Sequence, residues 1–447
     1  MRQLVLTAAL SAFFVLTGCD APETGTAIPT PIDSGARGAA DIAGGPVRAL
    51  PSPVIEAPVV EAPVFEAPVV EASAASAPAA GRGLVRAGVL TAGDIDDRLN
   101  LAAFTRYLAQ TRAATRLPMG NFSGPVLAQV VGADGRAAAR QRVTLRHVGA
   151  AEPFYDGWSG VDGMVTVFPA ILGAGRAGAV EMRAFAEGAP APVTATLQTG
   201  APRQVVRVPG AVTQPPAFLD LVFVVDTTGS MGDELDWLTR DLSRIVSAAA
   251  RGYGGVDIRY GLILYRDQGD DYVVRTYPFT GSAATMRAQL RAQSADGGGD
   301  YPEAAADALA AAAALPWRRG RGARLLFHIA DAPPHDADAA RYLAAAAAAL
   351  RANVTIHALG ASGVETEAEY LMRQAAAQTG GRYLFLTDDS GVGLAHAEPR
   401  ISCYQVTLLS DLVTRVLRAE LSGARVEPAA ADVIRSVGSY RGGVCLD

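Results

Sequence analysis

The sequence predicts an α/β fold, a doubly wound and mostly parallel sheet, preceded by a small β-sandwich domain. Three observations support this prediction. A nearly unbroken apolar run from Phe218 to Val225 is typical of a strand buried on both faces of a parallel sheet. Between residues 216 and 388, strand patterns alternate with helix patterns, which indicates a sheet covered by helices on both faces. Residues 121–212 instead show short alternating strands broken by Asp-Gly turns, which favours an antiparallel sandwich.

The first 19 residues have the pattern of a secretory signal, with Arg2 followed by an apolar run to Leu16. Their ending, Leu16-Thr-Gly-Cys19, resembles the bacterial lipobox. That resemblance implies cleavage before Cys19 and lipidation of this cysteine, so we expect a lipid-anchored protein exported to the periplasmic or outer face of the cell membrane. The choice between inner and outer membrane stays open, as does the alternative of a signal with an incidental cysteine.

Residues 20–82 are rich in Ala, Pro and Glu and contain Glu-Ala-Pro-Val repeats. A proline every five residues excludes helix and central strand, so this segment is predicted to be a disordered tether. It carries most of the net charge of −6, which leaves the folded part nearly neutral. A nearly neutral surface lacks the concentration of basic residues that is typical of nucleic-acid binding.

Residues 83–120 show helical spacing and are predicted to form a helical segment. Three carboxylates lie just before the helical pattern, those of Asp94, Asp96 and Asp97. We interpret them as an N-terminal helix cap and not as a calcium-binding loop. The sandwich that follows resembles carboxypeptidase-regulatory-like domains, and no chemistry is assigned to it.

Oxygen-bearing side chains follow the apolar run directly. Asp226, Thr228 and Ser230 lie where a strand's carboxyl end turns into an amphipathic helix, which is where open α/β sheets bind ligands. Carboxylate and hydroxyl oxygens suit Mg²⁺, Mn²⁺ or Ca²⁺. The alternative is an ordinary helix cap, which uses the same residue types.

Two further loops carry carboxylates next to predicted strands and helices. Asp300 and Glu303 precede an Ala-rich helical run, and Asp331 ends a second buried strand. Together the three loops resemble the von Willebrand factor type A domain, whose metal-ion-dependent adhesion site has Asp-x-Ser-x-Ser on the first loop. The resemblance implies metal ligands at Asp226, Thr228, Ser230, Glu303 or Asp300, and Asp331.

Part of the pattern is similar to the I-like domain of integrin β chains, because Met231, Asp233 and Glu234 follow Ser230. This similarity implies a flanking ion at Asp233 and Glu234, and another at Asp300 with Asp267. The string around Ser230 is also similar to the type A domains found beside alpha-kinases, although no kinase signature accompanies it.

The resemblance implies a binding function in which Mg²⁺, or Mn²⁺ or Ca²⁺, takes its last ligand from an acidic side chain of an envelope or surface protein. We predict no catalytic residue. Two alternatives stay open: a metal-dependent hydrolase with Glu303 or His335 as base, and a structural envelope lipoprotein whose site is empty.

Residues 389–447 are predicted to be a C-terminal helical extension. Its apolar residues from Val406 to Leu417 recur at helical spacing. In an exported protein, Cys403 and Cys445 favour a disulfide, with unpaired thiols as the alternative.

Overall fold

The computed structural model describes residues 32–33, 89–175, 178–253, 255–390 and 399–446. The predicted signal peptide, Cys19 and nearly all of the predicted tether therefore lie outside the described residues. In the part of the chain that is described, no helix combines the length and the apolar character needed to cross a membrane.

The described chain contains 19 strands and seven α-helices. In chain order the strands are β1 (Ile32–Asp33), β2 (Thr91–Ile95), β3 (Val126–Val131), β4 (Arg142–His147), β5 (Tyr155–Trp158), β6 (Met164–Val167), β7 (Ala179–Phe185), β8 (Val193–Gln198), β9 (Gln204–Arg207), β10 (Phe218–Asp226), β11 (Asp257–Tyr265), β12 (Val274–Thr280), β13 (Ala323–Ala330), β14 (Thr355–Gly360), β15 (Tyr383–Thr387), β16 (Tyr404–Leu408), β17 (Arg435–Val437), β18 (Tyr440–Arg441) and β19 (Val444–Cys445). The helices are α1 (Leu101–Thr115), α2 (Gly232–Ala250), α3 (Ala283–Arg291), α4 (Ala305–Ala313), α5 (Ala339–Arg351), α6 (Thr366–Thr379) and α7 (Leu409–Ser422).

One large sheet has the strand order β1-β12-β11-β10-β13-β14-β15-β2-β16-β17. Its centre, from β11 to β15, is parallel, while β12 and β2 run antiparallel to their inner neighbours. Asp226 lies opposite Tyr265, and Val225 lies opposite Ile329. The central strands therefore end at the same edge. The predicted doubly wound, mostly parallel sheet is confirmed.

Helices cover both faces of this sheet. Val222 and Val224 of β10 pack into the core beneath α4, α5 and α6, whereas Leu221, Phe223 and Val225 pack into the core beneath α2, α3 and α7. Because successive side chains of a strand point to opposite faces, a strand buried on both sides is apolar at nearly every position. This explains the nearly unbroken apolar run in the sequence. Its exception, Asp220, is a buried carboxylate that is paired with Arg259 and Arg318.

The segment 83–120 differs from the helical prediction, because its residues Thr91–Ile95 form strand β2 of the large sheet. The predicted helix cap is also wrong. Helix α1 starts after Asn100, and its cap makes no side-chain hydrogen bond. Asp94 and Asp97 are instead buried and paired with Arg382 and Arg373, since a buried carboxylate needs a cationic partner.

The C-terminal extension is not wholly helical either. Val406 lies in β16, which pairs with β2, and α7 begins only at Leu409. Cys403 and Cys445, the predicted pair, are joined by a disulfide. The C-terminus is further fixed by Asn100, whose side chain donates to the carbonyl of Gly443 at 2.7 Å.

The sandwich consists of two sheets, with the strand orders β6-β3-β9 and β5-β4-β7-β8. Alternate residues of these strands, including Val143, Leu145, Val180 and Met182, form a separate core. Two residues of the predicted tether also have a defined place, because Ile32–Asp33 pairs antiparallel with the outer strand β12. An edge strand leaves its backbone groups free for such pairing.

Candidate functional site

Three loops meet at the carboxyl edge of the large sheet, and backbone hydrogen bonds join them. The loop after β10 is tied to the loop before α4, because the amide of Gly229 donates to the carbonyl of Gly297 at 3.2 Å. The latter loop is tied to the one after β13 by the amide of Glu303, which donates to the carbonyl of Pro333 at 2.9 Å. The loop before α4, which carries Glu303, therefore lies between the loop of Asp226 and the loop of Asp331.

Asp226 is fully buried at the end of β10. Its Oδ1 atom accepts hydrogen bonds from the amide of Thr228 at 3.0 Å and from the Thr228 hydroxyl at 2.7 Å. Its Oδ2 atom is buried and has no hydrogen-bond partner among the described residues. A buried carboxylate oxygen in this state is costly unless a proton or a cation neutralises it.

Glu303 and Asp331 repeat this arrangement. Glu303 Oε2 and Asp331 Oδ1 are also buried atoms that lack a hydrogen-bond partner within the described ranges. A hydrogen bond from Ser230, which is exposed at the mouth of the site, lowers the pKa of Asp331, but burial outweighs it and the pKa is raised. Three loops thus each contribute one unpartnered carboxylate oxygen.

The pKa values show how strongly these carboxylates resist ionisation. Burial, with the neighbouring charge of Asp331, raises the pKa of Asp226 to about 7. Burial, followed by the charges of Asp226, Asp267, Asp270 and Asp331, raises the pKa of Glu303 to about 9. Desolvation and like charges both disfavour the ionised form. A bound cation would reverse this balance.

The loop before α4 reaches the site through glycines. Gly298 has a φ of 77°, and a Cβ atom there would lie 2.9 Å from Glu303 Oε1 and 3.3 Å from Thr228 Cβ. A Cβ atom on Gly297 would lie 2.5 Å from Asp270 Oδ1. Only glycine therefore allows this close approach without displacing the carboxylates.

The structure places the carboxylates predicted to hold flanking ions in different surroundings. Asp233 and Asp300 are exposed. Glu234 is buried, and its Oε1 atom accepts from the amide and the hydroxyl of Ser362 at 2.9 and 2.7 Å. Asp267 Oδ1 lies 2.7 Å from His335 Nε2, a hydrogen bond that raises the pKa of His335. Glu234 Oε2 is also buried and has no hydrogen-bond partner among the described residues. The two flanking ions, one at Asp233 and Glu234 and one at Asp300 and Asp267, stay predictions.

Sequence reasoning missed Asp270. Its Oδ2 atom accepts from the amides of Asp267 and Gly298, at 3.0 and 2.9 Å, and so connects the loop after β11 to the glycine loop. The only signal was its place in an acidic run shortly after a buried strand.

A buried polar chain beneath the site was also missed. Tyr265 lies beside Asp226, and its hydroxyl lowers the pKa of that carboxyl. The same hydroxyl is 3.1 Å from His328 Nε2, and His328 Nδ1 is 3.0 Å from the Tyr342 hydroxyl. Burial lowers the pKa of His328 to about 4, so this ring is neutral at pH 7. His328 is therefore a core residue that lies beneath the site.

Within the described residues, no three His, Cys, Asp or Glu side chains converge closely enough to hold a metal ion by themselves. An ion at this site would therefore also need the hydroxyls of Thr228 and Ser230, and water. The unpartnered oxygens of Asp226, Glu303 and Asp331 fit such an ion, because all are hard donors.

Comparison with known protein families identifies the domain type. A family model of the von Willebrand factor A domain matches residues 220–396. The chain is 30% identical over 118 residues to the alpha-protein kinase vwkA of Dictyostelium discoideum, covering 26% of this chain and 19% of the kinase. It is 32% identical over 125 residues to a putative ariadne-like RING finger protein of Acanthamoeba polyphaga mimivirus, covering 28% and 12% respectively. The chain thus spans less than a fifth of the length of either relative.

Solved structures are similar over part of the chain. The conserved hypothetical protein BatB from Bacteroides thetaiotaomicron is 18% identical, with a TM-score of 0.30, and the match covers 37% of this chain and 89% of BatB. The open conformation of the pilus adhesin SpaC from Lactobacillus rhamnosus GG is 12% identical, with a TM-score of 0.31, covering 54% of this chain and 31% of SpaC. The family match alone confirms the predicted resemblance: the chain contains a von Willebrand factor A domain.

Proposed function

We propose that the von Willebrand factor A domain binds a divalent cation at the Asp226 site and, through it, an acidic side chain of a protein partner. One observation carries this proposal: Asp226, Glu303 and Asp331 each keep a buried carboxylate oxygen without a partner, on three adjoining loops. A hard cation is the ligand type that satisfies several such oxygens at once. Mg²⁺ is the first choice, with Mn²⁺ or Ca²⁺ as alternatives.

Each residue has a distinct part in this proposal. Thr228 and Ser230 offer neutral hydroxyl oxygens, and Ser230 is the exposed one. Asp226 orients the Thr228 hydroxyl by accepting its hydrogen bond, and Asp331 does the same for Ser230. Glu303 would ligate the cation directly. A cation held mainly by neutral oxygens would supply an electrophilic position for the partner's carboxylate.

A metal-dependent hydrolase is the second candidate, and the contact between His335 and Asp267 favours it. A carboxylate that holds a histidine in place is a common arrangement for a general base. This candidate requires hydrolysis of phosphate or carboxylate esters that is lost in His335→Gln and in Glu303→Ala. Partner binding without such hydrolysis supports the first proposal.

The location of the protein is also part of the proposal. The lipobox ending at Cys19 supports a lipid anchor in an envelope membrane, with the folded domains on the exported side. Mass spectrometry of the N-terminal peptide tests this directly, because an anchored protein begins at a diacylated Cys19. A Cys19→Ser variant would remain unprocessed and unmodified.

The experiment that tests the binding function compares capture of envelope proteins in Mg²⁺ and in EDTA. The full chain, Asp226→Ala and the control Asp236→Asn, whose carboxylate is exposed on α2, are used as bait. We expect a partner that binds the full chain and the control only in Mg²⁺ and does not bind Asp226→Ala. A partner retained equally in EDTA would contradict a cation-mediated contact.

A further inference from the structure

A second polar site lies at the opposite edge of the large sheet. A cavity of about 110 Å³ separates the sandwich from the starts of β13 and β14. Trp158 and Thr166 line it from the sandwich, and Arg324 and Thr355 line it from the sheet. A cavity of this size holds more than one water molecule. Because Asp226 is the last residue of β10, at the carboxyl edge of the sheet, the two sites are at different edges.

The charged side chains of the lining are those of Arg98, Arg140, Arg324 and Glu420. Arg98 is already paired with Asp96 through hydrogen bonds of 2.9 and 2.8 Å, so the positive charge that is open to a ligand comes from Arg140 and Arg324. Arg140 and Arg324 are only 7% and 5% exposed. Among the described residues, neither forms an ion pair with a carboxylate: Arg140 donates to the carbonyl of Gln214 at 2.8 Å, and Arg324 donates to backbone carbonyls. Burial lowers the pKa of both guanidinium groups and outweighs the nearby charges of Glu420, which raises the pKa of Arg140, and of Asp220, which raises the pKa of Arg324.

A buried histidine adds an unpartnered donor. His357 Nδ1 accepts a hydrogen bond from the amide of Arg382 at 3.2 Å, so the proton of the neutral ring is on Nε2. His357 Nε2 is buried and lacks a hydrogen-bond partner in the described chain. It lies 3.9 Å from Glu420 Oε1, too far for a hydrogen bond. This nitrogen lines a smaller adjoining cavity that shares Arg98 and Glu420 with the first.

The backbone is unusual at the same place. Arg140 has a φ of 59°. Asn353, on the opposite wall, has a φ of 58° for a different reason: it ends helix α5 in the usual left-handed way, with the amides of Asn353 and Val354 donating to the carbonyls of Leu350 and Ala349. Left-handed backbone is uncommon for residues other than glycine, and above all for a long side chain such as arginine. Strain of this kind is often found at binding sites, where the surrounding structure maintains it.

We propose that this cavity, lined by Arg98, Arg140, Arg324 and Glu420, binds a small oxyanion such as phosphate between the sandwich and the von Willebrand factor A domain. Guanidinium groups bind phosphate and carboxylate oxygens through charge-assisted hydrogen bonds. Glu420 opposes the anion and limits its affinity. The proposal is independent of the cation site, because it uses none of the same residues.

The test is calorimetric titration of the full chain with inorganic phosphate, at an ionic strength held constant with sodium chloride. Arg140→Gln removes one buried charge and should weaken binding by roughly tenfold or more. Its matched control is Arg136→Gln, because the Arg136 side chain is 90% exposed on the same sandwich. That control should bind phosphate like the unmodified chain.

Glu420→Gln provides a second test that does not depend on Arg140→Gln remaining folded. Removing the opposing charge should tighten phosphate binding, whereas general damage to the cavity would weaken it. Asp226→Ala should leave phosphate binding unchanged. Absence of saturable binding in both the full chain and Glu420→Gln would overturn the proposal, and so would equal affinities in folded Arg140→Gln and Arg136→Gln, which would indicate an adventitious ion only.

Discussion

Asp226 is the residue on which the proposed cation site most depends. Burial and the charge of Asp331 raise its pKa to about 7, compared with about 3.9 in an unfolded chain. The folded protein therefore binds this proton more tightly than the unfolded chain does. The corresponding stability is fully present below about pH 4 and is lost as the pH rises through about 7.

The first prediction concerns this pH dependence in the absence of divalent cations. Asp226→Asn cannot ionise, so we expect it to lose less stability than the unmodified chain between about pH 5 and pH 8. Chemical unfolding in EDTA at a series of pH values measures the difference. Asp236→Asn, at an exposed position, should follow the unmodified chain. Identical pH profiles for all three proteins would show that Asp226 titrates normally.

The second prediction concerns the direction of the hydrogen bonds beneath Asp226. A carboxylate only accepts, so the Tyr265 hydroxyl should point its proton toward Asp226 and accept from His328 Nε2. His328 Nδ1 then accepts from Tyr342. Nitrogen NMR of the histidine rings at pH 7 should show His328 neutral, with its proton on Nε2. A proton on Nδ1 would refute this orientation.

Tyr265→Phe extends this test to the site. Without its hydroxyl, the ionised form of Asp226 loses support, so Mg²⁺ affinity at pH 7 should fall by several-fold. Tyr342→Phe is the matched control because it removes a hydroxyl from the far end of the chain, where the effect on affinity should be smaller. Equal losses in both variants would indicate general disruption of the core.

The third prediction compares two neighbouring glycines. Gly298→Ala places a methyl group against Glu303 at a φ of 77°, so it should destabilise the protein by about 1–2 kcal/mol and weaken cation binding. Gly299 has open space around its Cβ position and no positive φ, so Gly299→Ala should be nearly neutral. Thermal unfolding and calorimetry measure both properties. Equal effects of the two substitutions would contradict the close approach at Gly298.

At the scale of elements, buried ion pairs attach the segment before the sandwich to the large sheet and its covering helices. Arg373 of α6 donates to Asp97 at 2.7 and 3.0 Å, and its guanidinium lies 3.9 Å from the centre of the Tyr107 ring. Both members of the ion pair are 3% exposed. Removing one partner leaves the other charge buried, which is more costly than the loss of the pair itself.

The fourth prediction uses this contrast. Arg373→Met should reduce the free energy of unfolding by about 3–5 kcal/mol. Arg341→Met breaks the much more exposed pair with Asp307 and should cost about 0–1 kcal/mol. Denaturant unfolding of both variants measures the difference. Similar small losses would show that Asp97 is not confined to a buried pair.

The same elements show where sequence reasoning succeeds. Strand β10, its loop and α2 are continuous in the chain, and their patterns are strong: an apolar run, three oxygen donors, and apolar positions at three- and four-residue spacing. Strands β2 and β16 escaped prediction because their partners are remote. Thr91, for example, pairs with Thr387. Short strands that complete a sheet from a distant part of the chain leave only a weak local pattern.

Prediction of the site had the same limit. Asp226 and Asp331 were identifiable because each lies at the end of a buried strand, and Glu303 because its loop precedes an Ala-rich helix. Asp270 contacts the glycine loop from the loop after β11, and the buried chain joins Tyr265 of β11 to His328 of β13. Only the folded sheet brings these residues together. The pKa values of about 7 and about 9 also depend on burial, which the sequence does not specify.

At the scale of the whole molecule, the large sheet separates two kinds of polar site. Its carboxyl edge carries the acidic cluster around Asp226, and its opposite edge meets the sandwich at the arginine-lined cavity. The disulfide between Cys403 and Cys445 joins the start of strand β16 to the C-terminus and so fixes the C-terminal extension. The sandwich is therefore attached at the edge of the sheet that is remote from the proposed cation site. The carboxyl edge, where Ser230 is exposed, is left accessible to a partner.

The central claim is tested most directly by calorimetric titration of the full chain with Mg²⁺, Mn²⁺ and Ca²⁺, beside Asp226→Ala and Asp236→Asn. We expect one saturable site in the full chain and in Asp236→Asn, with binding lost in Asp226→Ala. Binding should strengthen as the pH rises from about 6 to 8, because the site carboxylates must release their protons. Absence of saturable binding by any of the three ions, or equal binding by Asp226→Ala, would contradict a cation site at Asp226.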